Sequence, residues 1–182
     1  SGGRNRRAAK MDILDITHPD IREWIHAKRL AQEKLNALMD YLGVSYREAA
    51  DSVLYQNENL SVRVTDEYMK SVEGNGRLKT IPVHSKEMAD EIPEYNARQI
   101  WREIAECSHA CADPGLQFHT TINDWHTTPN TAPIRASNPC SEYMHIDETS
   151  CNLASVKLTF FINDDGTFRV VNYCRAIDLI AK

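Results

Sequence analysis

The densest chemistry in the chain lies at Asn138-Pro139-Cys140-Ser141-Glu142. An amide, a thiol and a carboxylate occupy every second position there. In an extended segment, positions i, i+2 and i+4 project to one face, so the three side chains can address one ligand together. The amide can hold a hydroxyl, the carboxylate can take its proton, and the sulfur can do redox or nucleophilic work. The same five residues also suit a capped turn around a small buried cysteine. A second thiol, Cys151, follows eleven residues on, in SCNLASVKL. Two strands joined by a short turn would bring the two thiols near each other, whereas an interior strand cysteine is the plainer reading.

Three further cysteines stand at Cys107, Cys111 and Cys174. An odd total with irregular spacing makes a poor disulfide framework. No apolar leader follows the opening SGGRNRRAAK. A reducing compartment is therefore expected, in which cysteines are redox-active, metal-bound or simply buried. Cys107-Ser108-His109-Ala110-Cys111 places two thiols on one helix face, but zinc wants four ligands and no second close pair stands nearby. Core helix cysteines are the expected reading, with no metal. His126 is expected to be a hydrogen-bonded loop histidine rather than a ligand or base. Trp24, Trp101 and Trp125 are expected in core or loop packing.

These groups must be held by the elements around them. MDILDI at 11–16 alternates and reads as a strand. Apolar residues from Ile21 to Leu42 recur at helical spacing, and Gly43 suits the cap. Ser45 and Glu48 form a capping-box pattern that opens a second helix. NLSVRVT at 59–65 alternates Leu60, Val62 and Val64 as a strand, after which Thr65 and Asp66 can cap a helix through Val72. GNG at 74–76 is a turn, and 77–96 reads as mostly connector. An amphipathic helix is expected over 97–112, closed by Asp113-Pro114-Gly115. Residues 116–141 carry three prolines and little periodicity; a loop of that length inside a domain is usually functional. Tyr143–Ile146 and Leu153–Phe161 read as strands, and a last helix starts near Val171 after a DDG turn. Strands alternating with helices give an α/β class.

At 182 residues, 42% hydrophobic and 26% charged, the chain suits an ordinary globular core and not disorder. The net charge of −5 gives no reason to expect a nucleic-acid polymer as partner. No apolar run approaches the roughly 18 residues of a spanning helix, so no membrane is expected. Arg4, Arg6, Arg7 and Lys10 crowd the first ten residues with no acid among them. This is either a solvated basic terminus or a Gly- and Arg-rich loop that meets a phosphate. The chain opens without Met and stops inside a helical pattern, so both ends are expected to be cuts in a longer polypeptide.

NPCSEY followed by TSCNLASVKL resembles the finger-loop region of ribonucleotide reductases. ADPGLQFHTTINDWHTTPNTAPIRASNPCSEYM resembles the same stretch of the adenosylcobalamin-dependent class. SGGRNRRAAKM with LDITHPDI, and then NLSVRVTDEYM, resemble that class in the same order. The likeness is weaker in 30–56 and after 160. His119-Thr120 stands where acids are common, Thr128 where the class often has Cys, and Lys157 where Asn is usual; none touches the Asn138, Cys140, Glu142 set.

The resemblance implies a ten-stranded α/β barrel, two five-stranded parallel halves set antiparallel around a finger loop. This chain would be part of that catalytic barrel domain over 1–182, with a specificity-loop segment at 1–10 and the finger region at 116–142. It implies reduction of ribonucleotides to 2'-deoxyribonucleotides by thiyl-radical chemistry with adenosylcobalamin as cofactor. Cys140 matches the thiyl cysteine that abstracts the 3'-hydrogen of the ribose. Glu142 matches the base that takes the 3'-hydroxyl proton, and Asn138, with Ser137, matches residues on the substrate. Cys151 matches one half of a redox pair whose partner lies upstream of Ser1. Gly2, Gly3, Arg4, Arg6 and Arg7 match the loop that reads a bound effector. The implied partners are a ribonucleoside diphosphate or triphosphate, a dNTP or ATP effector, a thioredoxin-like reductant and, for the full enzyme, a second copy, in the cytoplasm. The alternatives are a large subunit served by a separate di-iron radical subunit, or a nucleotide-binding fragment without turnover. The fragment by itself is expected to be inactive, and its uncovered strand edges and apolar faces to make it marginally stable.

Overall fold

The computed structural model describes residues 9–83 and 92–182. They divide into two units, one running to Asp147 and the other from Glu148 to Lys182.

The first unit begins with β1 (Lys10–Asp15), α1 (Ile21–Leu42), α2 (Tyr46–Asp51) and β2 (Glu58–Val64). α3 (Asp66–Glu73), β3 (Arg77–Lys79), β4 (Glu94–Asn96), α4 (Ala97–Cys111) and β5 (Gly115–Phe118) follow. α5 (His119–Asp124), β6 (Ala136–Ser137) and β7 (Met144–His145) complete it. The capping chemistry places the helix ends as expected. Gly43 adopts φ 63° and donates its N–H to Met39 O at 3.0 Å. Ser45 and Glu48 cap α2 reciprocally. α4 stops one residue earlier than expected, on Ala112 at φ 64°.

β1, β2 and β5 form a parallel sheet in that order, with β2 in the centre. Because side chains alternate, the sheet has two unlike faces. Leu60, Val62 and Val64 lie on one face; Val62 and Val64 join Ile21, Ile25, Ile100 and Ile104 in the main core. Each such isoleucine contributes about 2–3 kcal/mol by burial. The other face carries Asn59, Ser61 and Arg63 of β2 and, in register, Gly115 and Gln117 of β5. There a Cβ on Gly115 would stand 2.9 Å from Ser61 Oγ, so glycine is what lets the two strands' polar sides meet. Among the described residues the sheet does not close into a barrel.

Several stretches differ from expectation. Residues 77–96 are not all connector: β3 and β4 pair antiparallel through Leu78 and Tyr95. The loop at 116–141 begins as strand β5 and helix α5, because Gly115–Phe118 has β2 to pair with and tertiary pairing overrides weak periodicity. Within Tyr143–Ile146 only Met144–His145 is strand.

In the second unit, Leu153–Phe161 is not a strand. No ladder partner pairs it among the described residues, and Leu158–Phe161 turns as a 3₁₀ helix. α6 (Val170–Ile180) follows, with Phe161, Phe168 and Tyr173 clustered at ring-centroid separations of 5.5–6.2 Å. No described residue of this unit is buried, and Leu153, Phe160, Val171 and Leu179 are exposed. Uncovered apolar surface on this scale is what an open piece of a larger fold presents.

α1 and α4 are tied by a polar network at the edge of the core. The Glu103 carboxylate is buried and accepts from Arg22 Nε (2.9 Å), Arg22 Nη2 (2.8 Å) and Gln99 Nε2 (3.1 Å), with His26 Nε2 3.2 Å away. Burial opposes ionisation of Glu103, but these hydrogen bonds, Arg22's first, outweigh it and hold its carboxyl below the usual range. A depressed folded-state value stabilises above the unfolded one, and that stabilisation is lost as pH falls through the folded value. Melting curves from pH 7 to pH 3 are therefore expected to show stability falling below about pH 4.3. In Glu103→Gln, the part of that fall due to this site is expected to vanish, at the cost of lower stability at pH 7. An unchanged acid limb in the variant would show that Glu103 has no part in it.

Candidate active site

The Asn138–Glu142 segment is not extended; it is the tip of the β6–β7 hairpin. Ala136 pairs with His145 and Ser137 with Met144. Asn138 N–H donates to Tyr143 O at 3.2 Å, and the Asn138 side-chain oxygen accepts from Tyr143 N–H at 3.0 Å. Ser141 N–H then closes the turn onto Asn138 O at 3.0 Å, with Ser141 at φ 61°. Pro139 presets the turn's first bend, and a left-handed residue ends it, as in four-residue hairpin loops. The three side chains therefore do not share one face of an extended strand. Asn138, Cys140 and Glu142 lie on one tight turn. Cys140 and Glu142 are both exposed at its tip, Asn138 is half-buried, and the Asn138 NH2 remains the group with which its side chain can meet a ligand.

The polar face of the sheet grips this hairpin. Gln117 Nε2 donates to Ser137 Oγ at 2.7 Å, and Ser137 Oγ donates on to Asn138 O at 2.9 Å. Asn59 Nδ2 donates to Pro139 O at 2.6 Å. Arg63 donates to Arg135 O through Nη1 and to Asp15 Oδ1 through Nε at 2.7 Å. The approach to the hairpin is held by Asn123, which bonds both the N–H (2.9 Å) and the C=O (3.0 Å) of Ile134. Sequence reading overlooked Asn59, Arg63 and Gln117. Their signal was the polar half of the strand alternation, Asn59-Ser61-Arg63, opposite the apolar half that marks the core.

A cleft of about 480 Å³ lies beside the hairpin, lined by Leu116, Phe118, Ile122, Trp125, Ile134 and Met144 among others. Trp125 is 83% exposed, so it is not the packing residue expected. It follows the last residue of α5 and lines the cleft. Trp24 and Trp101 do pack against the core. His126 is a hydrogen-bonded loop histidine: Nε2 donates to Ala132 O at 2.9 Å and Nδ1 accepts from Thr128 N–H at 3.4 Å.

Cys107 is fully buried in the main core, 3.5 Å from His26 Nδ1, and burial pushes its thiol up. Cys111 donates to Cys107 O at 3.4 Å. Among the described residues no group of three or more His, Cys, Asp or Glu is placed to hold a metal ion, and no helix is long and apolar enough to cross a membrane. Cys151 is exposed in the second unit and lies in no strand. Gly2, Gly3, Arg4, Arg6 and Arg7 lie outside the described residues.

The polar face of the parallel sheet thus carries a cysteine-tipped hairpin. The family model described as "Ribonucleotide reductase, barrel domain" matches residues 1–182. The chain is 47% identical to the vitamin B12-dependent ribonucleotide reductase of Streptomyces avermitilis over 99% of its own length and 19% of the relative's. It is 49% identical to the protein of the same name from Rhodopirellula baltica, over 92% of this chain and 16% of that one. A vitamin B12-dependent ribonucleoside-diphosphate reductase of Mycobacterium tuberculosis is 33% identical over 90% of this chain and 20% of its own. The chain belongs to the ribonucleotide reductase family, as a segment of its barrel domain. It spans about a fifth of the length of these relatives.

Proposed function

We propose that this chain supplies the radical-cysteine hairpin of a reductase that converts ribonucleotides to 2'-deoxyribonucleotides. The observation that carries the reading is the single turn presenting Asn138, Cys140 and Glu142, anchored to the sheet from behind and open in front. In this reading the Cys140 sulfur, as a thiyl radical, takes the 3'-hydrogen of the ribose. Glu142 takes the 3'-hydroxyl proton, which the neighbouring radical makes more acidic, and the Asn138 NH2 holds the same hydroxyl. The 2'-hydroxyl leaves as water. Cys151 and a second thiol supply two electrons and end as a disulfide, which a thioredoxin-like reductant reopens by exchange. Gly2 to Arg7 would read a dNTP or ATP effector, an allosteric role in the two-site sense.

The relatives' names support adenosylcobalamin over a separate di-iron subunit as the radical source, and the Mycobacterium name supports a diphosphate substrate. When bound, that cofactor supplies a carbon-centred radical. The exposed Cys140 thiol suits a hydrogen-atom exchange with a group docked from outside the hairpin. The described residues are assigned no part of the corrin's pocket.

The test is an assay of the full-length protein carrying this segment with adenosylcobalamin, a ribonucleoside diphosphate and a dithiol. Deoxynucleotide is expected from the full-length protein and none from the isolated chain. No product from the full-length protein with either diphosphates or triphosphates would refute the reading.

A further inference from the structure

We propose that Asn59 is the positioning residue for Cys140: its amide fixes the peptide plane that leads into the cysteine and so aims the thiol. The proposal rests on the role given to Cys140 above. A side chain's departure direction is set by the backbone N, Cα and C of its own residue. Those atoms belong to the two peptide planes on either side of Cα. Here both planes are held. The Pro139–Cys140 plane is held through its oxygen, which accepts from Asn59 Nδ2 at 2.6 Å. The Cys140–Ser141 plane is held through its N–H, which donates to Asn138 O at 3.0 Å. Asn138 O is itself steadied by Ser137 Oγ at 2.9 Å, in turn held by buried Gln117 at 2.7 Å.

Of these bonds, only that of Asn59 reaches a plane containing Cys140 from outside the hairpin. Asn59 sits on β2, the central strand, paired to Met11 of β1 in the ladder. It is thus a rigid anchor, whereas Cys140 is exposed in this segment. Asn59 bonds the backbone and not the sulfur, so it acts by placing the thiol. Chemistry that depends on near-contact geometry loses about 100-fold for a misplacement of about 1 Å.

The experiment uses the full-length protein with Asn59→Asp and Asn59→Gln. Asn59→Asp keeps the size but turns a carboxylate oxygen toward Pro139 O. Its kcat is expected to fall about 100-fold with KM within about twofold. Backbone amide exchange over 138–143 in the cofactor-free protein is expected to rise about tenfold. Asn59→Gln keeps an NH2 donor and is expected to recover most of both losses. Unchanged kcat and exchange in Asn59→Asp would overturn the proposal. So would Asn59→Gln as impaired as Asn59→Asp in both kcat and exchange, because the NH2 donor that Gln keeps would then be holding nothing. If the parent protein makes no deoxynucleotide while exchange still rises in Asn59→Asp, the anchoring of the turn stands and the assigned reaction is what fails.

Discussion

Cys140→Ser in the full-length protein is expected to leave less than about one thousandth of the parent's turnover, a barrier increase above about 4 kcal/mol. The two side chains are nearly isosteric, and none of the hydrogen bonds described at the hairpin tip uses the Cys140 side chain. A near-isosteric replacement that breaks no described hydrogen bond is expected to leave the fold and substrate binding intact. What changes is the bond to hydrogen. The O–H bond of serine is much stronger than the S–H bond of cysteine, and an alkoxyl radical is out of reach where a thiyl is not. Turnover and substrate binding measured side by side check this: binding intact and turnover gone is the expected pair. Retained turnover would remove Cys140 from the radical role.

Glu142→Gln is expected to lower kcat about 100-fold with KM changed less than about threefold. The amide has the shape of the carboxylate and can still hydrogen-bond the ribose, but it cannot accept a proton. General-base catalysis contributes roughly 10²–10⁴-fold, and a loss confined to kcat marks an interaction made in the transition state. Gln is nearly isosteric with Glu142, which is exposed on the same turn as Cys140 in this segment. Equal losses in kcat and substrate affinity would instead give Glu142 a binding role. The two variants also separate from each other: without Cys140 no hydrogen leaves the ribose, whereas without Glu142 the thiol remains and the reaction is slowed.

The sequence by itself determined the pieces. Local rules placed α1 to its cap at Gly43, the Ser45–Glu48 box, β2 and α4, because caps and amphipathic periods act over a few residues. The motif at Asn138–Glu142 and its family resemblance were likewise legible in residue types and order, and the matched barrel-domain family agrees. The tertiary structure decided how those residues meet. Extended alternation and a four-residue turn both fit NPCSE as a string. The choice fell to the turn because Tyr143 and Ser141 close it and because Asn59 and Gln117, about 80 and 20 positions away, hold it down. The strand at 115–118 exists because β2 offers it a partner, which no local pattern reveals. Asn59, Arg63 and Gln117 passed unnoticed for the same reason. A polar residue on a half-apolar strand reads as solvent-facing until the hairpin it holds is seen to cover it.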